Sequence, residues 1–393
     1  MARTAASGSG VSSLHTFTED ELMMKEAATR FAHDKIKPLV AQMDDSEIMD
    51  PSIFTGLFEQ GFMGIEVPEQ YGGAGSSFTS AMLVVEEIAK IDPSVATACD
   101  VHNTLVNTTL NHHASEYIKE TYLSRLATTT VGSFGLTEAG AGSDAFALKS
   151  TAVKKGDYYV LNGHKMWISN SGEADIFVIF ATVDPSKGYK GITAFVVDKS
   201  MGIQIAKKER KLGIRASSTC MLTFDDLKVP ATNVIGTVGH GYKYAIEVLN
   251  EGRIGIAAQM VGAAQGAFDV AVAYAMDRKQ FGRAVGEFQG MQHQIAQVAV
   301  EIEAARLLTY NAARLKEESK PFVKEAAMAK LFAAQVAERA TSKAVEWMGG
   351  VGFSRESGVE KFYRDSKIGA IYEGTSNIQL QTIAKVIQAQ YKK

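Results

Sequence analysis

The chain has 393 residues, enough for two or three domains of roughly 150 residues each. Its 41 Lys and Arg against 44 Asp and Glu leave a formal charge of −3, which argues against nucleic-acid binding through a general basic field. Two cysteines, Cys99 and Cys220, exclude a disulfide framework and any multi-cysteine metal or iron–sulfur site.

Residues 1–16 carry Arg3, several Ser and Ala, and no acid. They read as a flexible segment, a tail or artificial remnant at least as well as a transit peptide. The region 17–130 is helical in pattern. Thr18 and Glu21 form a capping-box signature, with Phe17 placed to staple onto the first turn. Leu22, Ala28 or Thr29, Phe31 or Ala32 and Ile36 follow at helical spacing, and Pro38 marks the exit. Further helices are expected near 51–61, 77–91 and 115–126, with a glycine-rich loop at Pro68–Ser77. His113 and Glu116 share a face only as a solvated pair.

The region 131–236 changes to strand character. Val131–Leu136, Tyr158–Leu161, Ile176–Val183 and Ile192–Val197 are apolar or β-branched runs. Turns are expected at Lys155-Gly156-Asp157, Asn162-Gly163 and Asp184-Pro185. The spacing is too tight for intervening helices, so an antiparallel sandwich or barrel is expected. The region 237–393 is helical again. Ile254–Met276 is apolar, but Gln259, Gln265 and Asp269 interrupt it, which reads as a buried helix and not a bilayer span. Phe288, Met291, Ile295, Val298, Ile302, Ala305, Leu308, Ala312 and Leu315 make one stripe, and Pro321 precedes a helix over 322–348. Together these suggest a helical bundle. No H-E-x-x-H, C-x-x-C, G-x-S-x-G or P-loop pattern occurs, so neither a metal site nor a simple hydrolase is expected.

Five stretches carry chemistry. Phe134–Asp144 runs from a strand into a loop of Gly, Thr and Ser, which can turn N–H groups toward a phosphate or a ring carbonyl. Its match to G-x-G-x-x-A at Gly140–Ala145 is a decoy, because strand-like residues follow where a helix should open. Lys165–Asn170 offers Trp167 to a planar ligand, with Ser169 on the same strand face. Asn250–Arg253 places charge in an apolar helix, for a salt bridge or an anionic ligand. Arg278–Gly282, followed by Gln289, is a polar break between long helices. Ile371–Ile378 ends an apolar segment in Glu373 beside a helix N-terminus. Burial there raises the carboxyl pKa and the helix end lowers it, so a general base is feasible. Each stretch alone also fits a plainer account: a hairpin, a core Trp, an ion pair, a surface loop, a cap.

In this order, Thr137–Asp144, Lys165–Ser169, Gly239–Gln259, Arg278–Gln292, Glu346–Gly352 and Ile371–Gln379 resemble the acyl-CoA dehydrogenase family over about Phe17–Tyr391. The resemblance implies an α+β multidomain fold: N-terminal α-domain, central antiparallel β-domain and C-terminal four-helix bundle. It implies FAD as cofactor and α,β-dehydrogenation of short or branched acyl-CoA (2-methylbutyryl, isobutyryl or butyryl). Electrons then pass to electron-transferring flavoprotein. It also implies a homotetramer in the mitochondrial matrix, working in fatty-acid and branched-chain amino-acid breakdown.

Matched residue by residue, Glu373 falls on the catalytic base. Phe134, Leu136, Thr137, Gly142 and Ser143, with Trp167, Ile168 and Ser169, fall on the flavin site. Arg278, Phe281 and Gln289, with Glu346, Trp347, Met348, Gly349 and Gly350, fall on an adenosine–pyrophosphate site shared across a dimer interface. Thr375, Ser376 and Asn377 fall on a further FAD contact. Ser143, Tyr189, Tyr242, Asn250, Glu251, Gly252 and Arg253 fall on acyl-CoA contacts. Isovaleryl and long-chain members carry the base just before the helix arginine, where this chain has Gly252. An acyl-CoA oxidase, or a non-catalytic acyl-CoA-binding or assembly protein on the same scaffold, are the alternatives.

Overall fold

The computed structural model describes Leu14 and residues 16–392, so most of the tail over 1–16 lies outside the described residues. α1 (Glu19–Phe31) opens on the expected capping box: Glu21 N–H donates to Thr18 Oγ1 at 3.2 Å, and Thr18 N–H to Glu21 Oε2 at 2.9 Å. Phe17 lies edge-on to Tyr310. The α1 stripe differs from its reading. Glu21 is buried on Arg314, and Leu22 is left exposed. Nor does Pro38 end the helical path. A π turn (Ala32–Ile36) and a 3-10 turn (Lys37–Leu39) lead into α2 (Val40–Ser46). Proline is tolerated there because an opening turn needs no N–H from it.

α3 (Pro51–Glu59) and α4 (Phe78–Ala89) follow. Next come α5 (Pro93–Asp100), a π stretch (Val101–Asn107) and α6 (Thr108–His113), none of which the periodicity revealed. Its start signal was present: Asp92 caps Ser94 N–H, with Pro93 in the first turn. α7 (Glu116–Ile118) and α8 (Ser124–Thr128) close the region. His113 and Glu116 fall on different helices. His113 pairs with Glu247 at 3.1 Å, and Glu116 accepts from the Tyr71 hydroxyl.

The strands are β1 (Gly132–Gly135), β2 (Thr151–Lys155), β3 (Tyr158–Ser169), β4 (Ile176–Thr182), β5 (Ile192–Asp198), β6 (Gln204–Lys208), β7 (Thr219–Pro230) and β8 (Val234–Ile235). They form one sheet in the open order β6-β7-β3-β2-β4-β5-β8, with β1 beside β4. Most pairs are antiparallel; β1 and β2 meet β4 in parallel, a departure from the all-antiparallel expectation. Asn162-Gly163 is not a turn but a register shift inside β3. β4 alternates between two cores. Phe177 and Ile179 face the larger one, while Ile176, Val178 and Phe180 face a smaller one shared with Leu105, Leu110 and Leu126.

α9 (Gly241–Asp277) runs 37 residues, and a small hairpin of β9 (Lys279–Gln280) and β10 (Arg283–Ala284) follows it. α10 (Gln289–Glu317), α11 (Val323–Met348), α12 (Gly350–Phe353), α13 (Val359–Ser366) and α14 (Ser376–Tyr391) complete the chain. α9, α10, α11 and α14 make the bundle, and the expected α10 stripe faces inward. By length and composition α9 is apolar enough to cross a membrane, but 67% of its most apolar window is buried within the protein. It packs closely because its contact face is glycine. A Cβ at Gly262 would lie 2.7 Å from Ala89 Cβ and closer still to the Glu86 carbonyl on α4. Gly262→Val should therefore destabilise the fold by about 1–3 kcal/mol through overpacking, read as a lower denaturation midpoint.

Candidate active site

The first two stretches stand side by side. β1 delivers Phe134, and the chain leaves through Leu136 into a loop pinned by Glu138. That carboxylate accepts the Lys149 and Ser150 N–H groups at 2.7 and 3.0 Å and pairs with buried Lys165 at 2.7 Å. Burial pushes Glu138 up, but Lys165 and the Ser150 and Lys149 bonds outweigh it and hold the carboxyl below its ordinary value. Burial draws Lys165 down to about 8, with Glu138 opposing. No helix follows the glycines, so the dinucleotide pattern is indeed a decoy. Space is open where Cβ atoms would stand at Gly140 and Gly142.

Between Lys165 and Ile168 the β3–β7 register shifts. Met166 N–H turns to the Thr137 carbonyl at 2.9 Å, and Trp167 takes φ 57°. Such a bulge re-aims a side chain. Here it leaves the indole 52% exposed while Ile168 is buried and Ser169 half-buried. Ser133 Oγ donates to the Ser169 carbonyl at 2.6 Å and ties the two strands. Phe134, Leu136 and Ile168 are core side chains, so chiefly their backbone is left for a ligand.

Glu373 sits in a left-handed turn, φ 51°, followed by Gly374 at φ 85°. A non-glycine residue holds such a conformation only when its surroundings impose it. Lys330 of α11 donates to the carbonyls of Tyr372 (2.8 Å) and Gly374 (2.6 Å). Gln379 of α14 donates to the Glu373 and Gly374 carbonyls at 3.1 and 2.9 Å. Thr375 caps α14 by accepting Ile378 N–H at 3.3 Å; Ser376 begins the helix and Asn377 is exposed. The Tyr372 hydroxyl donates to Gln259 on α9.

α9 reaches this turn at Gly252. A Cβ there would lie 3.2 Å from Glu373 Oε2 and 3.0 Å from Leu105. That oxygen is buried and has no hydrogen-bond partner. Burial pushes the Glu373 carboxyl up to about 7, against the pull of Lys330 and Arg253. Burial draws Lys330 down to about 8 and Arg253 below its usual value, with Glu373 opposing in both cases. Asp100, set against Gly255 one turn further along α9, is held well above the carboxylate range by burial and then by Glu373.

Within Asn250–Arg253 the side chains divide. Arg253 donates to Asn250 Oδ1 at 2.8 Å on the Glu373 side. Glu251 instead meets Lys316 at 3.2 Å, the plain ion pair. Tyr189 and Tyr242 are edge-on at 4.8 Å, with Phe146 beside Tyr242 and Ser143 exposed on the same loop.

The remaining residues stand elsewhere. Phe281 projects from the β9–β10 hairpin, 94% exposed at φ 52°, with Arg278 and Gln289 flanking the hairpin. At the same end of the bundle, Trp347 donates to Gln294 at 3.3 Å, Glu346 is exposed, and Gly349 and Gly350 border open space. Trp347 and Met348 are themselves buried. Roughly 40 Å of helix rise separates Gly252 from Arg278, so one chain does not bring these residues to Glu373.

Lys330, Asp100, Leu105 and Gln259 were missed in the sequence. The signal for Lys330 was a lone charge inside the apolar run Ala326–Ala334. Among the described residues, no group of three or more His, Cys, Asp or Glu is placed to hold a metal ion.

Models of the acyl-CoA dehydrogenase N-terminal, middle and C-terminal domains match residues 18–130, 133–227 and 239–388. The chain is 59% identical over 379 residues to a Rattus norvegicus protein, short/branched chain specific acyl-CoA dehydrogenase, mitochondrial, covering 96% of this chain and 88% of that one. The structure of butyryl-CoA dehydrogenase from Megasphaera elsdenii superimposes with TM-score 0.93 at 41% identity, covering 95% of this chain and 99% of that one. A chain from a structure of the electron transferring flavoprotein of Acidaminococcus fermentans gives TM-score 0.94 at 43% identity, with the same coverage.

The Glu373 environment makes a stability prediction with a definite sign. Its folded pKa of about 7 stands above the ordinary 4.5, so the native state holds a proton that the unfolded state has lost. Stability relative to Glu373→Gln should fall as pH rises from 4.5 through about 7, and denaturation midpoints of both proteins across that range measure it.

Proposed function

The chain belongs to the acyl-CoA dehydrogenase family, whose members are FAD-dependent oxidoreductases, and we propose that it converts short straight or branched acyl-CoA to 2-enoyl-CoA. The observation that carries this reading is Glu373: one carboxylate, buried and unpartnered at Oε2, with its pKa tuned to about 7. A base whose pKa lies near the working pH combines a useful ionised fraction with useful basicity.

The residues present fit FAD. Trp167 offers an exposed ring at a bulge, the backbone at Gly140 and Gly142 borders open space, and Thr375 begins a helix. Phe134, Leu136, Thr137, Gly142, Ser143, Trp167, Ile168, Ser169 and Thr375–Asn377 would hold the flavin half. Arg278, Phe281, Gln289 and Glu346–Gly350 would hold the adenosine half for a second copy, which accounts for their distance from Glu373. Bound FAD supplies the two-electron acceptance that the side chains lack.

The protein's own part is acid–base chemistry and positioning. Glu373 takes the α-proton onto its carboxylate. Arg253 and Lys330 favour the charged form before transfer, and burial favours the neutral form after it. The Glu373 backbone N–H is the proposed donor to the thioester oxygen; one such donor is typically worth about 3–4 kcal/mol. Ser143, Tyr189, Tyr242 and Asn250–Arg253 would receive the acyl-CoA at the mouth. The same reading assigns a homotetramer of domains 17–130, 131–236 and 237–393, electron-transferring flavoprotein as acceptor, and the mitochondrial matrix. The mitochondrial name of the rat relative supports the location, and the flavoprotein structure supports the acceptor.

Glu373→Gln loaded with FAD and mixed with 2-methylbutyryl-CoA should bleach about 10²–10⁴-fold more slowly than the wild type. Bleaching at the wild-type rate sinks the assignment. Oxygen uptake with substrate and no other acceptor would point to an oxidase, and a colourless protein after FAD loading to a non-catalytic binder. Phe281→Ser should release FAD without unfolding the chain, read as loss of flavin absorbance at unchanged circular dichroism.

A further inference from the structure

Lys330 is a fully buried ammonium on α11. The other fully or nearly buried lysines, Lys165 and Lys361, bond directly to carboxylates: Glu138 at 2.7 Å, and Asp92 and Asp365 at 2.8 and 2.6 Å. A buried cation needs such a partner, or it gives up its proton. The hydrogen bonds of Lys330 go instead to two backbone carbonyls, Tyr372 and Gly374. Those carbonyls lie on either side of Glu373 in the chain. The ammonium therefore straps the two flanks of a left-handed turn whose central residue, Glu373, acts on it electrostatically.

Resting on Glu373 as the base, we propose that Lys330 is a positioning residue for it: the strap holds the strained turn, and its charge keeps the Glu373 carboxylate ionised. Among the described residues, four titratable groups interact electrostatically with Glu373. α9 brings Arg253, α5 brings Asp100, α11 brings Lys330, and Tyr372 is the adjacent phenol. Burial and then Glu373 raise the Asp100 carboxyl well above its ordinary value, and burial raises the Tyr372 hydroxyl well above its own. The cations that pull on Glu373 are Lys330, itself drawn down to about 8, and Arg253. Arg253 is also bonded to Asn250, whereas both hydrogen bonds of Lys330 serve the turn itself.

The test uses the FAD-loaded proteins Lys330→Met, Lys330→Gln, Lys330→Arg and Glu373→Gln. Flavin bleaching by 2-methylbutyryl-CoA is followed from about pH 6 to about pH 9. In Lys330→Met the acid limb should move up by about 1–2 pH units, with at least about a tenfold loss of rate at pH 7. Lys330→Gln keeps donors for the carbonyls but no charge, so its limb should move as far with a smaller loss at the plateau. Lys330→Arg keeps the charge, and its limb should stay near the wild-type position. A Met or Gln variant that folds, holds FAD and keeps the wild-type limb overturns the proposal, even if its melting temperature or plateau rate falls. So does failure of all three variants to fold and hold FAD, which would assign Lys330 to the fold alone. Glu373→Gln separates the two readings. If it bleaches normally, the base assignment itself is wrong; if it is inert while the Lys330→Met limb stands still, only the role of Lys330 falls.

Discussion

A long helix buried on most of its faces admits charge only where another element answers it, and the structure is organised around that constraint on α9. Small residues let its neighbours approach: Gly241 against β5, Gly255 against Asp100 on α5, Gly262 against α4. The N-terminal helices, the sheet and the bundle all take their register from this one rod. Its two central charges are then answered from different sides. Glu251 is met by Lys316 of α10, and Arg253 faces the segment that carries Glu373. The site lies where Leu105, Gly252 and Glu373 converge, at the meeting point of the helical regions.

Several buried charges elsewhere are answered directly. Arg306 and the Tyr310 hydroxyl both bond Glu86, and Lys361 bonds Asp92 and Asp365. Glu373 combines two departures at one residue: a left-handed backbone and a buried oxygen without a hydrogen-bond partner. Local inconsistencies of this kind persist where surrounding structure over-determines them, and they gather at functional sites. Here Lys330, Gln379 and the α14 cap over-determine the turn, which holds the carboxylate with its unpartnered oxygen against Gly252.

The capping box at Thr18, the α10 stripe, the hairpin at Gly156 and the position of Glu373 before a helix were legible because each is written in adjacent residues. Other features were not, for one physical reason: they depend on what lies across the fold. Glu21 and Leu22 exchange inside and outside because Arg314 stands nearly three hundred residues away in sequence. The helical path Pro93–His113 has no clean period because it is buried nearly all round. Gly163 read as a turn because the bulge that needs it belongs to a strand pair, not to a dipeptide. Lys330 looked like a misplaced charge in an alanine-rich helix until Tyr372 and Gly374 supplied its partners.

Gly252 shows how an absence can be structural. The family resemblance places the base of some members at this helix position, just before the arginine. In this chain a side chain there would start 3.2 Å from the Glu373 carboxylate. A second carboxylate carried on that side chain would crowd the first, and like charge would raise the pKa of one of them. The space also admits only one of them, because Leu105 closes the far side at 3.0 Å. A base delivered from α9 and a base delivered from the turn before α14 thus compete for the same point, and a chain with one must clear the other position. Glycine at 252 is therefore what leaves room for the Glu373 carboxylate beside α9.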